Sequence, residues 1–109
     1  MTDLNEVSAQ TIQQQMQDHE ILLIDVREPA EYAAEHIAGA VLCPLSTFDP
    51  ATLPQQDGRE IVFHCAGGKR SATAVARCQQ QGLSHSRHMT GGLQAWKAAG
   101  LPTVRAGQS

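Results

Sequence analysis

The segment His64-Cys65-Ala66-Gly67-Gly68-Lys69-Arg70-Ser71 holds the residues whose types and spacing suit chemistry. It follows the apolar run Ile61-Val62-Phe63 and precedes a stretch patterned as a helix from Ser71. In open α/β sheets, the carboxyl end of a strand is where ligands bind. Gly67 and Gly68 accept positive φ and let successive backbone N–H groups turn inward as an anion-binding nest. A helix opening at Ser71 adds the positive end of its dipole. A free cysteine titrates near ~8.5, and one at a helix N-terminus beside cations falls well below that. Cys65 is therefore expected to be a thiolate. Lys69 and Arg70 add positive charge, so the pocket should favour a donor that is itself an anion, such as thiosulfate. Attack on a sulfane sulfur would leave Cys65 as a persulfide, its outer sulfur held by the same N–H groups. Ala66, Gly67, Gly68, Lys69, Arg70 and Ser71 are the expected substrate-binding residues. No metal or organic cofactor is called for. A single cysteine at a strand end is more often packing; two glycines, two cations and a following helix are what a packing cysteine does not require.

Strands and helices must alternate to place this loop. Ser8 is an N-cap signal for a helix to about Gln17, with Ile12 and Met16 on its buried face. Ile21-Leu22-Leu23-Ile24, ending at Asp25, and Ile61-Val62-Phe63 are continuous apolar runs that suit strands covered on both faces. Pro29 opens a short helix to about Glu35. Val41-Leu42-Cys43 is a brief strand stopped by Pro44, and 46–58 is loop with room for one helical turn. The helix over 71–81 carries Ala72, Val75 and Ala76 on its apolar face and stops at Gly82. A short strand at His88-Met89 and a last helix from Gly91-Gly92 through Trp96 to Ala99 complete an α/β pattern with a mostly parallel sheet.

With 109 residues the chain reads as one domain, ordered over about 5–104 with a flexible tail at 105–109. A hydrophobic fraction of 41% and a charged fraction of 17% are those of a folded protein. The net charge of −3 comes without a run of Lys or Arg, which argues against nucleic acid or a membrane as partner. The first residues resemble no leader and no stretch has the length of a membrane span, so a cytoplasmic location is expected. Cys43, Cys65 and Cys78 are an odd number without C-x-x-C spacing, which speaks against a disulfide framework or a zinc knuckle.

Leu23-Ile24-Asp25-Val26-Arg27-Glu28-Pro29-Ala30-Glu31-Tyr32 with His36-Ile37-Ala38-Gly39-Ala40 resembles the D-V-R-x-x-x-E-[YF] and G-H-I-x-G-A signatures of the rhodanese family. The segment 61–71 resembles that family's active-site loop, and Gly91-Gly92-Leu93-Gln94-Ala95-Trp96 through Gly100-Leu101-Pro102 its closing motif. The resemblance implies a three-layer sandwich with a parallel sheet of about five strands flanked by helices. It also implies sulfur transfer from an anionic donor to cyanide, a thiol or a protein thiol, with Cys65 as the sulfur carrier. Glu35 and Ala38 depart from the motif in a connecting segment. Ala66 stands where thiosulfate-using relatives often carry a basic residue.

Other residues read as structural. Asp25 and Arg27 end a strand and could support the pocket, but an internal ion pair is the simpler role. His64 points to the face opposite Cys65. His36, His85 and His88 show no metal-ligand spacing and are taken as surface or capping groups. Cys43 is either a buried small hydrophobe or a resolving thiol, Cys78 lies two turns into the helix, and Trp96 is a core anchor. Two rival functions remain: a persulfide carrier or docking module, and a phosphatase or arsenate reductase. The oxyanion cradle of the latter resembles C-x-x-x-x-x-R, one residue longer than the interval from Cys65 to Arg70.

Overall fold

A computed structural model describes residues 4–54 and 56–107. The elements follow in the order β1 (Asn5–Val7), α1 (Ala9–Gln17), β2 (Ile21–Asp25), α2 (Pro29–Ala34), β3 (Glu35–His36), β4 (Val41–Leu42), β5 (Glu60–His64), α3 (Lys69–Gln80), β6 (Arg87–Met89), α4 (Gly92–Ala98) and β7 (Val104–Arg105). Two 3-10 turns, Leu45–Thr47 and Pro50–Thr52, lie in the long connection before β5.

The main sheet is parallel throughout, in the order β1-β6-β5-β2-β4. Its two longest strands, β2 and β5, pair along their whole length, from Ile21 opposite Glu60 to Asp25 opposite His64. Because successive side chains leave a strand on opposite faces, their continuous apolar runs feed two cores. Ile21, Leu23, Val62 and Met89 pack with Ile12 of α1 and Leu93 and Trp96 of α4. Leu22, Ile24, Ile61 and Phe63 pack with Ala74, Val75 and Cys78 of α3. Full burial of each large side chain contributes about 1.5–3 kcal/mol, so the interleaved runs tie three layers together. The expected α/β sandwich is the observed one, and no helix among the described residues is long and apolar enough to cross a membrane.

Local signals set the element ends. Ser8 Oγ accepts from the Thr11 N–H at 3.2 Å and starts α1. Glu28 and Glu31 form a capping box around Pro29 at the start of α2. Three features differ from the sequence reading. The edge strand β1 is polar along Asn5-Glu6 and carries no apolar run to announce it. Helix α3 begins at Lys69, not Ser71, because Gly68 turns into the helix at φ +110°, a left-handed cap that favours glycine. Finally, β3 and β7 form a separate antiparallel pair with Arg105 opposite Glu35, and the Ala106 N–H donates to the Ala34 carbonyl, at positions the sequence reading assigns to a tail. Residues 108 and 109 of that tail lie outside the described residues.

Candidate active site

Cys65 follows directly on β5, between the ends of β2 and β6, with only 1% of its surface exposed. Its sulfur does for α3 what a capping oxygen does for other helices. Gly68 has no side chain to cap with, and the first N–H groups of a helix lack partners within it. The Gly68 N–H donates to Cys65 Sγ at 3.0 Å and the Ser71 N–H at 3.4 Å. In the thiol form, the S–H donates to Ser71 Oγ at 3.7 Å. Burial alone would push this thiol up; the hydrogen bonds from Ser71, Gly68 and Gly67 outweigh it and hold Cys65 below an ordinary cysteine. By contrast, burial pushes Cys43 up and Cys78 up to about 11, so both are held further from the thiolate form than an ordinary cysteine.

The back of the loop is fastened to α4. The Leu93 N–H donates to the Cys65 carbonyl at 2.8 Å and the Gln94 N–H to the Ala66 carbonyl at 3.1 Å. Turning these two carbonyls toward α4 leaves the N–H side of the loop toward the sulfur. The approach requires glycine at position 92. A Cβ there would overlap the Cys65 carbonyl oxygen and lie 2.7 Å from the Ala66 carbonyl, and its φ is +59°.

The two expected cations are arranged differently from one another. Arg70 does not stand free over the loop: its guanidinium bonds both oxygens of Glu31 at 2.7 and 3.0 Å. Glu31 also accepts from the Glu28 N–H at 2.9 Å. The Arg70 guanidinium, with help from that N–H, holds the Glu31 carboxyl down at about 2 despite partial burial. Lys69 is exposed and has no ion-pair partner among the described residues.

Asp25 and Arg27 form a buried pair, with Arg27 Nη2 2.8 Å from Asp25 Oδ2 and its other bond to the Glu35 carbonyl at 2.7 Å. Asp25 lies opposite His64 in the sheet, on the face away from the Cys65 side chain. His64 is buried beside it, its Nε2 3.5 Å from Asp25 Oδ2. The structure therefore brings Cys65, Gly67, Gly68 and Ser71 together and leaves Asp25 and Arg27 on the other face. Cys43 is half-buried against the α3-side core. Sequence reasoning missed two contributors: Glu31, and His88, which is not a surface group but 4% exposed, with Nδ1 2.8 Å from Ser71 Oγ. Among the described residues no His, Cys, Asp and Glu cluster is arranged to hold a metal ion.

The family described as "Rhodanese-like domain" matches residues 8–99. A protein of Allochromatium vinosum named "Sulfurtransferase" is 34% identical over 102 residues, spanning 93% of this chain and 95% of that one. An uncharacterised protein of Synechocystis sp. is 42% identical over 99 residues; the match covers 91% of this chain but 55% of that longer one, so this chain spans about half its length. The crystal structure of a rhodanese-related protein from Thermoplasma volcanium superposes with a TM-score of 0.78 at 30% identity, covering 92% of this chain and 97% of that one.

Proposed function

The chain belongs to the rhodanese-like domain family, and from that premise we propose that it is a sulfurtransferase in which Cys65 carries sulfur as a persulfide between an anionic donor and a thiophilic acceptor. The convergence of the Gly68 and Ser71 N–H groups on Sγ carries this reading. Two amides aimed at one sulfur stabilise negative charge there and stand ready for the outer sulfur of a persulfide. In the first half-reaction the thiolate attacks the sulfane sulfur of a thiosulfate-like donor. A Cys65 S–S bond forms, the donor's S–S bond breaks, and sulfite leaves with the electron pair. In the second half-reaction cyanide or a thiol attacks the outer sulfur, and the Cys65 thiolate is released with the pair from the broken bond. Substrate binding falls to Ala66, Gly67, Gly68, Lys69 and Ser71 along the loop, with Arg70 contributing on release from Glu31, and none of these steps uses a metal or organic cofactor.

A second reading is favoured by one observation, the engagement of Arg70 by Glu31. That pairing leaves Lys69 as the cation available to a small anion at the rim, which suits loading by a protein-borne persulfide better than by free thiosulfate. A phosphatase reading gains nothing from the site, since the arginine that would clasp an oxyanion is already bidentate with a carboxylate. Steady-state kinetics with thiosulfate and cyanide test the proposal. Parallel double-reciprocal lines are the expected result for double displacement. Turnover with protein persulfide donors but none with thiosulfate would favour the carrier reading, and intersecting lines would contradict the covalent mechanism.

A further inference from the structure

Cys65 is almost closed to water, so the proton that its thiol gives up needs a route. Ser71 Oγ lies 3.7 Å from Sγ on one side and 2.8 Å from His88 Nδ1 on the other, and its hydroxyl can also donate to the Gly68 carbonyl at 3.1 Å, which competes with Nδ1 for the one hydroxyl proton. His88 projects from β6 on the same face as Phe63 of β5, under the first turn of α3. Its Cε1 would meet a Cβ on Gly68 at 3.8 Å. Its far nitrogen, Nε2, is buried without a hydrogen bond and faces Glu6 Oε1 at 3.9 Å. Glu6 is the register partner of His88 on β1, and its other oxygen accepts from Thr90 Oγ1 at 3.4 Å. Glu6 is thus the charged group facing His88, while α3 contributes Ser71, the loop Gly68 and β5 Phe63. A carboxylate opposite Nε2 favours the proton on that nitrogen, which leaves Nδ1 as an acceptor for the Ser71 hydroxyl. With the hydroxyl proton turned from the Gly68 carbonyl to the shorter contact at Nδ1, the bonds run one way, from Sγ–H to Oγ and from Oγ–H to Nδ1.

We propose that Ser71 and His88 form the path that receives the Cys65 proton, with Glu6 supporting the charge that results. The Sγ–H bond breaks as an Oγ–H bond forms, and the original Oγ–H bond breaks as an Nδ1–H bond forms. The product is a thiolate facing a serine that now donates to it, and an imidazolium whose Nε2–H faces the Glu6 carboxylate. Burial pulls the His88 imidazole below the usual histidine range and so disfavours the imidazolium; the Glu6 carboxylate opposes that effect, which is why the path includes it. His88 is a positioning residue, because it acts through Ser71. The inference rests on the reading of Cys65 as the nucleophile.

The test is the pH dependence of Cys65 alkylation by iodoacetamide in the full chain, for the unaltered protein and for His88→Asn and Glu6→Gln. Asparagine keeps a hydrogen-bonding group near the Nδ1 position but takes up no further proton in this pH range. The expected result is a midpoint raised by about one pH unit in His88→Asn, a roughly tenfold slower reaction on the acid side, and a smaller rise in Glu6→Gln. An unchanged midpoint in His88→Asn overturns the path. If that variant does not fold, Glu6→Gln decides in the same way, since the Glu6 side chain is 59% exposed and its loss disturbs no core. Alkylation needs no sulfur donor, so a protein with shifted midpoints that never takes up sulfur would refute the functional reading alone. Normal sulfur loading with unshifted midpoints would refute the proton path alone.

Discussion

Replacing Gly92 by alanine should separate the loop's geometry from its mere presence. The new Cβ would overlap the Cys65 carbonyl oxygen and stand 2.7 Å from both the carbonyl carbon and oxygen of Ala66, in a backbone with φ at +59°. The left-handed conformation costs a non-glycine residue about 1–3 kcal/mol. As the loop retreats it also gives up the Leu93 and Gln94 N–H bonds to its two carbonyls, each worth about 0.5–1.5 kcal/mol net. The sum is a destabilisation of about 2–6 kcal/mol, read by urea unfolding. If the retreat breaks one amide bond to the thiolate, the loss of about 1.5–3 kcal/mol raises the Cys65 pKa by about one to two units. Alkylation at mildly acid pH then slows by about ten- to a hundredfold. Gly91→Ala is the matched control: its φ is +73° and its Cβ would meet Ala95 Cβ of α4 at 2.8 Å and not the loop carbonyls. It should cost stability without moving the Cys65 titration. A wild-type titration in Gly92→Ala, or an equal shift in Gly91→Ala, would refute the claim that α4 sets the orientation of the loop.

Glu31→Gln removes the charge that occupies Arg70, so the Michaelis constant for thiosulfate should fall about three- to tenfold at low salt and recover at high salt; no change would mean that Arg70 does not reach the donor. Lys69→Ala should raise the same constant, again more at low salt. The Glu31 carboxyl is lowered from 4.5 to about 2 in the folded chain, so its pairing contributes stability that is full above the unfolded value and is lost as pH falls through that window. The stability gap between the unaltered protein and Glu31→Gln should therefore close between those two pH values in acid titrations followed by circular dichroism, and a gap that persists below them would contradict the pairing. Asp25→Ala leaves the Arg27 guanidinium buried at 4% exposure without its carboxylate, which should cost about 3–5 kcal/mol in urea unfolding; a loss under about 1 kcal/mol would show that the pair is not a structural tie.

What was legible in the sequence was local. The interleaved runs at 21–24 and 61–63 announce buried strands because each feeds both faces of the sheet, and Ser8 and Pro29 announce helix starts through their own backbone chemistry. The loop cysteine was legible because glycines and a helix start follow it within a few positions. Helix α3 begins two positions earlier than its apolar spacing indicates, since its cap is the Cys65 sulfur reaching forward to Gly68 and Ser71. Contacts between distant segments left no local trace. Arg70 reads as a free cation until Glu31, 39 positions away, is seen to hold it. His88 reads as a surface histidine because burial on β6 depends on β1, whose polar residues give no strand signal. Gly92 carries no chemistry of its own, yet its missing side chain is what lets α4 take the loop's carbonyls.

Intact-mass measurement after thiosulfate and then after cyanide tests sulfur carriage by Cys65 most directly. The account predicts a gain of one sulfur atom and its loss, absent in Cys65→Ser and retained in Cys43→Ser and Cys78→Ser. Sulfur uptake that survives in Cys65→Ser, or none at all with thiosulfate and with protein persulfide donors, would contradict it.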